Sequence, residues 1–174
     1  MKNFSDIKLN ENITKSLDEL GFVSPTPIQS KTIPLLLDTK QDLIGAAQTG
    51  TGKTAAFGIP SIHLTDISDK SVQTLILCPT RELCIQITKD LKKYSKYVKG
   101  IQIVPVYGGA SMETQIRALK KGSQIVVGTP GRTKDMIKRK KLSLVSIDRV
   151  VLDEADEMLS MGFKEDLDFI LSNA

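Results

Sequence analysis

One run of small and hydroxyl residues, Ala46-Ala47-Gln48-Thr49-Gly50-Thr51-Gly52-Lys53-Thr54, constrains this chain more than any other segment. It follows a short apolar stretch, 42–47, and opens a helical one. In that strand, loop and helix order, backbone N–H groups of 48–52 can wrap phosphate oxygens. Lys53 then reaches the outer phosphates and the Thr54 hydroxyl ligates magnesium. One departure shows: the general pattern asks for glycine where Ala47 stands. A glycine-rich turn is the plain alternative for the loop alone.

A second run weighs against that alternative. Val150-Val151-Leu152-Asp153-Glu154-Ala155-Asp156 places Asp153 100 residues after Lys53. A buried strand over 149–152 would deliver two adjacent carboxylates at its C-terminal end. Asp153 can hold the metal through water, and Glu154 can orient or deprotonate an attacking water. A water activator favours nucleotide hydrolysis over phosphate transfer to a metabolite, which is the rival reading as a small-molecule P-loop kinase.

Apolar runs of strand length alternate with longer helical patterns, which gives an α/β fold with a mostly parallel central sheet and helices on both faces. The expected strands are 42–46, 74–78, 101–106, 124–127 and 149–152. Helices are expected at 10–20, 27–37, 53–65, 81–97, 111–120 and 131–138, with Pro27 at a first-turn position. The connection 66–71 is the most polar and is expected to be the mobile one. The organisation reads as N-terminal helices over 1–40 and a nucleotide-binding core over 41–174.

At 174 residues, 40% hydrophobic and 25% charged, the chain has ordinary soluble composition. No apolar run approaches the roughly 18 residues of a membrane span, and the first residues lack a secretory h-region. The expected setting is cytoplasmic, with no membrane. Cys78, Cys84 and the single His63 cannot assemble a four-ligand zinc site, and all three read as buried structural residues. The net charge of +4 is unevenly spread, with lysines crowding 89–99 and 134–141 and acids gathering over 153–168. Such lysine clusters are either solvated helix faces or a phosphate-backbone footprint. Tyr94 and Tyr97 could stack on bases, but their spacing favours inward packing.

In a parallel sheet the C-terminal strand ends line the ligand crevice. The sequences expected there are Pro79-Thr80-Arg81-Glu82-Leu83, Gly108-Gly109 and Thr129-Pro130-Gly131-Arg132. Each could be plain turn and cap chemistry. Three on one edge, beside a nucleotide site, favour a second site for a polyanion.

With these residues assembled, the chain resembles the first RecA-like domain of the DEAD-box ATP-dependent RNA helicases, and Asp153-Glu154-Ala155-Asp156 spells that motif. The resemblance implies ATP and Mg2+ as cofactors, with Lys53 and Thr54 in the nucleotide loop, Thr54 and Asp153 toward the metal, and Lys53, Asp153, Glu154 and Asp156 as the catalytic set. Asp156 corresponds to the residue that ties this site to an interdomain motif. Gly21 to Gln29 resembles the adenine-recognition segment, with Gln29 on the base edge. Val23 and Ser24 stand where that segment usually carries charge. Phe4 is similar to the upstream aromatic that stacks on adenine, or else is a hydrophobic anchor. Pro79, Thr80, Arg81, Gly108, Gly109, Thr129, Pro130, Gly131 and Arg132 map to RNA-backbone motifs. By this resemblance the chain is a fragment that lacks the interdomain Ser-Ala-Thr motif and its partner, the second RecA-like domain. Alone it should bind nucleotide weakly and hydrolyse it poorly, since an arginine finger contributes roughly 10³ to 10⁵ in rate. The family reading is ATP hydrolysis coupled to local RNA duplex unwinding. A nucleotide-gated RNA clamp or assembly scaffold is the other.

Overall fold

A computed structural model describes residues 3–174. The chain divides into two compact units, one comprising the chain through Leu64 together with Lys89–Gly100, the other Thr65–Thr88 with Ile101–Ala174.

The first unit is helical. After a single 3₁₀ turn at Phe4–Asp6 come α1 (Glu11–Glu19), α2 (Pro27–Asp38) and α3 (Lys53–His63). Asn10 caps α1, its side-chain oxygen accepting from the Asn12 N–H at 2.9 Å. Ile13 and Leu17, four apart on one face, are both 1% exposed. A reciprocal Thr26 and Gln29 capping box starts α2, with Pro27 in the first turn where its missing N–H costs nothing. Phe4, Phe22 and Tyr94 form a line of tilted rings with centroids 5.5 and 5.6 Å apart. Burial, then the nearby Asp90, pushes the Tyr94 phenol up to about 12.

His63 ends α3 half-buried, and its Nδ1 accepts the Asn10 N–H at 3.1 Å. Burial lowers its pKa from the ordinary 6.5. The unfolded chain therefore takes up a proton that the folded chain resists, and the doubly protonated ring could no longer accept from Asn10. We expect stability to fall as pH drops through about 6.5, and His63→Gln to flatten that slope in thermal melts. An unchanged slope would mean that other groups carry it.

The second unit carries β1 (Thr74–Leu77), β2 (Ile103–Val106), β3 (Ile125–Gly128) and β4 (Arg149–Leu152), all parallel, in the order β2-β3-β1-β4. Between them run α4 (Arg81–Tyr94), α5 (Met112–Lys120) and α6 (Pro130–Lys138), with α7 (Ala155–Ser160) and α8 (Lys164–Leu171) after the last strand. α4 contributes residues to both units. Right-handed crossovers in this order send α4 to one face and α5 and α6 to the other. Accordingly Leu75, Leu77, Val104, Val106 and Val126 share a core with Met136 of α6, Met158 of α7 and Ile170 of α8. On the opposite face the Cys84 thiol of α4 reaches the Val127 carbonyl at 3.1 Å.

Close packing shows at Gly128, where a Cβ would lie 2.2 Å from the Thr133 Oγ1. That hydroxyl is buried without a hydrogen-bond partner. Gly128→Ala should cost about 1–3 kcal/mol by overpacking, and adding Thr133→Ala should return most of it. Urea denaturation of the single and double variants checks this; a double variant no better than the single would refute the contact.

Two expectations need correction. Residues 42–46 form no strand: Leu43 is 40% and Ile44 98% exposed, and the remaining Asp42, Gly45 and Ala46 offer little apolar side chain to bury on a pleated surface. The connection 66–71 is pinned, because Gln73 donates from Nε2 to the Asp66 and Asp69 carbonyls at 2.8 and 3.1 Å while its Oε1 accepts the Asp66 N–H at 2.8 Å. Helix α4 also ends at Tyr94 rather than Tyr97, and α7 and α8 are helices beyond those expected.

Candidate functional site

In the first unit the phosphate-loop residues lead directly into α3. Gly50 and Gly52 have φ of +78° and +89°, conformations that glycine adopts without strain. Gln48, Thr49 and Gly50 are exposed, while Thr51, Lys53 and Thr54 are half-buried. Thr51 closes the turn, its hydroxyl donating to the Gln48 carbonyl at 2.7 Å. Gly52 is the N-cap of α3, and no side chain caps that helix end. The leading N–H groups of α3 therefore lack intrahelical acceptors and point along the positive end of the helix dipole, as an anion requires. The segment entering this loop, 42–46, is exposed and forms no regular element, in place of the strand expected from sequence.

Gln29, 4% exposed, is fixed on the same loop. Its Nε2 donates to the Gly52 carbonyl at 3.1 Å and its Oε1 accepts the Thr26 N–H at 3.0 Å. A primary amide has two N–H donors and two acceptor lone pairs, so one of each is left over. That leftover pair matches the N7 acceptor and N6 donor of adenine. A Cβ on Gly52 would lie 2.4 Å from Gln29 Nε2, so glycine is what admits this contact. Phe4 is 5% exposed, its ring against Phe22 and its N–H donating to the Val23 carbonyl at 3.0 Å.

In the second unit the parallel register aligns the strand ends, with Leu77 paired to Gly128 and Leu152, and Val106 to Gly128. The post-strand loops thus lie side by side in the order 107–110, 129–132, 78–82 and 153–156. Adjacent strands β3 and β1 send their helices to opposite faces, the arrangement in which a ligand crevice is expected between the Thr129 and Pro79 loops. Two arginines tie this edge together. Arg81 Nη1 donates to the Gly109 carbonyl at 3.2 Å, and the guanidinium lies 5.2 Å from the Tyr107 ring centroid. Arg132 donates to the Ala110 carbonyl at 3.2 and 3.3 Å and to Gln115 Oε1 at 3.1 Å. Of five N–H donors each, Arg81 spends one and Arg132 three. Arg81 is exposed, with donors to offer a ligand; Arg132, half-buried, holds the loop. Pro79 and Pro130 are buried, Thr80 and Thr129 half-buried, and Gly108, Gly109 and Gly131 exposed. Thr80 also caps α4, accepting the Leu83 N–H at 3.2 Å.

Gln115 and Tyr107 were missed from sequence. Gln115, 6% exposed, also donates to the Tyr107 carbonyl at 3.0 Å. Tyr107 follows β2 directly, a position that the strand-end rule could have flagged.

At the fourth strand end, Asp153 is 9% exposed and its N–H extends the ladder to the Leu77 carbonyl at 2.9 Å. Glu154 is half-buried with φ 54° and ψ 49°, a left-handed backbone uncommon for a residue with a Cβ. Asp156 is exposed in the first turn of α7. Cys78 has its thiol raised far above the usual range, first by a hydrogen bond with Cys84, then by burial, then by the charges of Cys84, Asp153 and Glu154. It stays protonated and serves packing, as expected of both cysteines.

The tyrosines separate. Tyr94 packs inward at 7% exposure. Tyr97 is half-buried and donates from its hydroxyl to Glu19 Oε2 at 2.7 Å, under Lys15 at 4.3 Å from the ring centroid. Lys96 also bonds Glu19 and, as its larger influence, holds that carboxyl below its usual range.

Comparison with known proteins fits this geometry. A family model described as DEAD/DEAH box helicase matches residues 26–174. The chain is 56% identical over 171 residues to the ATP-dependent RNA helicase CshA of Listeria monocytogenes, covering 98% of this chain and 32% of that protein. It is 53% identical over 169 residues to the ATP-dependent RNA helicase DeaD of Buchnera aphidicola subsp. Schizaphis graminum, covering 97% of this chain and 28% of that one. The crystal structure of a DEAD box protein from the hyperthermophile Methanococcus jannaschii matches with a TM-score of 0.95 at 42% identity, covering all of this chain and 47% of that chain. The chain therefore spans about a third of the length of the curated relatives it matches.

Proposed function

The chain belongs to the DEAD/DEAH box helicase family, and from that premise we propose that it is the ATP-binding RecA-like domain of an ATP-dependent RNA helicase that couples nucleotide hydrolysis to local opening of RNA duplexes. The observation that carries this reading is the Gln29 amide held on Gly52 at 3.1 Å. It joins a base-reading group to the loop that holds phosphates.

In this reading the backbone of Gln48 to Gly52 and the N-terminus of α3 cradle the phosphates, and Lys53 supplies a cation to the outermost one. The loop fits such a group, since no side chain caps the start of α3 and its leading N–H groups lack intrahelical acceptors. Thr54 is assigned as a ligand of Mg2+, and Asp153 as a carboxylate that would reach Mg2+ through water. When bound, the ion neutralises charge on the phosphate oxygens. Among the described residues no group of three or more His, Cys, Asp or Glu side chains could hold a metal alone, and a magnesium ion taking most of its ligands from phosphate and water needs none. Glu154 orients the attacking water, and Asp156 links the site to the rest of the complete enzyme. Gln29 reads adenine with its leftover donor and acceptor. Phe4 anchors the terminal turn as it stands, and stacking on adenine requires its ring to uncover.

RNA is held at the strand ends of the second unit. Arg81 contacts phosphate with its unspent donors while Arg132 positions the Gly108-Gly109 loop. The Pro79, Thr80 and Thr129 to Gly131 backbones complete the edge. Recognition through phosphate and sugar makes binding weakly dependent on sequence. The second RecA-like domain of the complete protein is the partner this reading requires. Among the described residues no helix is long and apolar enough to cross a membrane, and cytoplasmic placement belongs to the same proposal.

Calorimetry with ATP, ADP, GTP and inorganic triphosphate in magnesium tests the reading. The expected outcome is a preference for ATP and ADP over GTP, which Gln29→Ala abolishes while triphosphate affinity falls less. Equal loss for ATP and triphosphate would mean that Gln29 only braces the loop. Absence of any base preference in the unsubstituted chain would remove the adenine assignment.

A further inference from the structure

The opposite, N-terminal edge of the sheet gathers positive charge that no step above uses. Lys70 precedes β1, Lys120 and Lys121 close α5 ahead of β3, and Lys140 and Lys141 follow α6 on the way to β4. Among the described residues none of these five forms an ion pair. Two of the neighbouring carboxylates are engaged within their own loop. Asp66 accepts from the Ser68 hydroxyl and N–H at 2.6 and 2.9 Å, and Asp69 from the Ser71 N–H at 2.8 Å. Asp148 is the third acid of this edge, beside half-buried Arg149.

Lys70 and Lys141 face one cleft of about 200 Å³, lined also by Ser71, Ser123, Ser143 and Ser146 and by three aliphatic side chains, with no aromatic residue. The Ser71 Oγ is buried without a hydrogen-bond partner. Two backbone features serve the lysines. Gly122, at φ +96°, lets the Lys70 stem lie across it, since a Cβ there would sit 2.9 Å from Lys70 Cβ. Lys140 has φ 54°. It occupies the position after the end of α6 where glycine is usual, with the Lys140 N–H on the Ile137 carbonyl and the Lys141 N–H on Met136, both at 2.9 Å. Complementing the helix dipole explains lysines in the last turn of α5. It explains neither Lys70, ahead of a strand, nor a strained lysine beyond a helix end.

We propose that this edge is a second RNA-backbone site, in which Lys70 and Lys141 seat one phosphate in the serine-lined cleft and Lys120, Lys121 and Lys140 flank the path of the strand. The proposal rests on the reading of the chain as an RNA-binding domain. Lysine and serine without aromatic partners suit phosphate contact rather than base stacking. A strand held here would be a flanking region of an RNA whose duplex is worked at the other edge.

Fluorescence anisotropy on the whole chain, with a short and a long single-stranded RNA over a salt series, tests this. Lys70→Gln with Lys141→Gln should weaken the long RNA about tenfold at low salt and lower the log–log salt slope by about 0.7 per lost contact, leaving the short RNA unaffected. Lys140→Gly should weaken the long RNA too, while holding or raising the thermal midpoint because glycine relieves the backbone. Arg81→Gln provides the comparison. If it weakens RNA binding and the lysine variants change nothing, the second site falls and the first stands. Failure of the unsubstituted chain to bind any RNA overturns both. Loss of one of two inorganic triphosphate sites in the lysine variants, the phosphate-loop site being kept and long-RNA binding unchanged, would make the cleft a small-anion site and overturn the RNA assignment.

Discussion

Replacing Gly52 with alanine should abolish nucleotide binding at concentrations that saturate the unsubstituted chain, a loss of about 100-fold or more, and should lower the thermal midpoint as well. Two independent effects combine. At φ +89° any L-residue with a side chain is strained by roughly 1–2 kcal/mol. The added Cβ would also lie 2.4 Å from Gln29 Nε2 and 3.1 Å from both Gln29 Cδ and Thr26 Oγ1. Relief of that clash requires Gln29 to leave the Gly52 carbonyl, which undoes the α2 cap and moves the loop whose N–H groups face the phosphates. Each charge-assisted hydrogen bond lost is worth about 1.5–3 kcal/mol, so two account for the 100-fold. Gly50→Ala is the control. Its φ of +78° carries similar strain, but a Cβ there meets nothing within 4 Å. It should destabilise the loop with a smaller loss of affinity. Calorimetric titration of both variants with ATP decides the matter, and equal losses would show that backbone strain, rather than the Gln29 contact, governs the loop.

The same residues show what a sequence does and does not reveal. Short apolar runs such as 74–77 and 125–127 are legible because β-branched and aliphatic residues follow one another with no turn-forming residue among them, and the structure buries every position. Six helices were legible from apolar spacing, as Ile13 and Leu17 illustrate, whereas α7 and α8, in the acid-rich stretch after β4, were not. Residues 42–46 looked like a strand on the strength of two apolar side chains, yet a strand also needs a ladder partner, which local sequence does not encode. The polarity of 66–71 suggested mobility because the residue that pins it, Gln73, lies outside the run. Within the candidate site, residue identities were legible through their motifs, while the pairings were not. Gln29 to Gly52 spans 23 residues and Arg132 to Ala110 spans 22. Only the fold brings such groups together, and it is these pairings that separate Arg81, with donors to spare, from Arg132, which is committed to its loop.

Glu154 separates function from stability within one residue. Its backbone lies at φ 54° and ψ 49°, between the last β4 residue pair and α7, and its side chain caps nothing. A left-handed glutamate is kept against a cost of order 1 kcal/mol, which glycine would not incur. Glu154→Gly should therefore hold or raise the thermal midpoint, whereas glycine at an ordinary helical position lowers it. Glu154→Gln keeps both the shape and the strain, so its midpoint should stay unchanged. If the carboxylate orients or deprotonates the attacking water, both variants, placed in the complete two-domain protein, should lower single-turnover ATP cleavage in the presence of RNA by roughly 10²–10⁴-fold. Nucleotide affinity should survive in both, since Glu154 is assigned no role in holding phosphates. The decisive pattern is a stable or stabilised Gly variant that has lost cleavage together with an isosteric Gln variant that has lost it equally. Cleavage retained by the Gln variant would remove the proton-handling role and leave Glu154 a strained link between strand and helix, and a lowered midpoint in the Gly variant would show that its side chain, rather than its backbone, holds the turn.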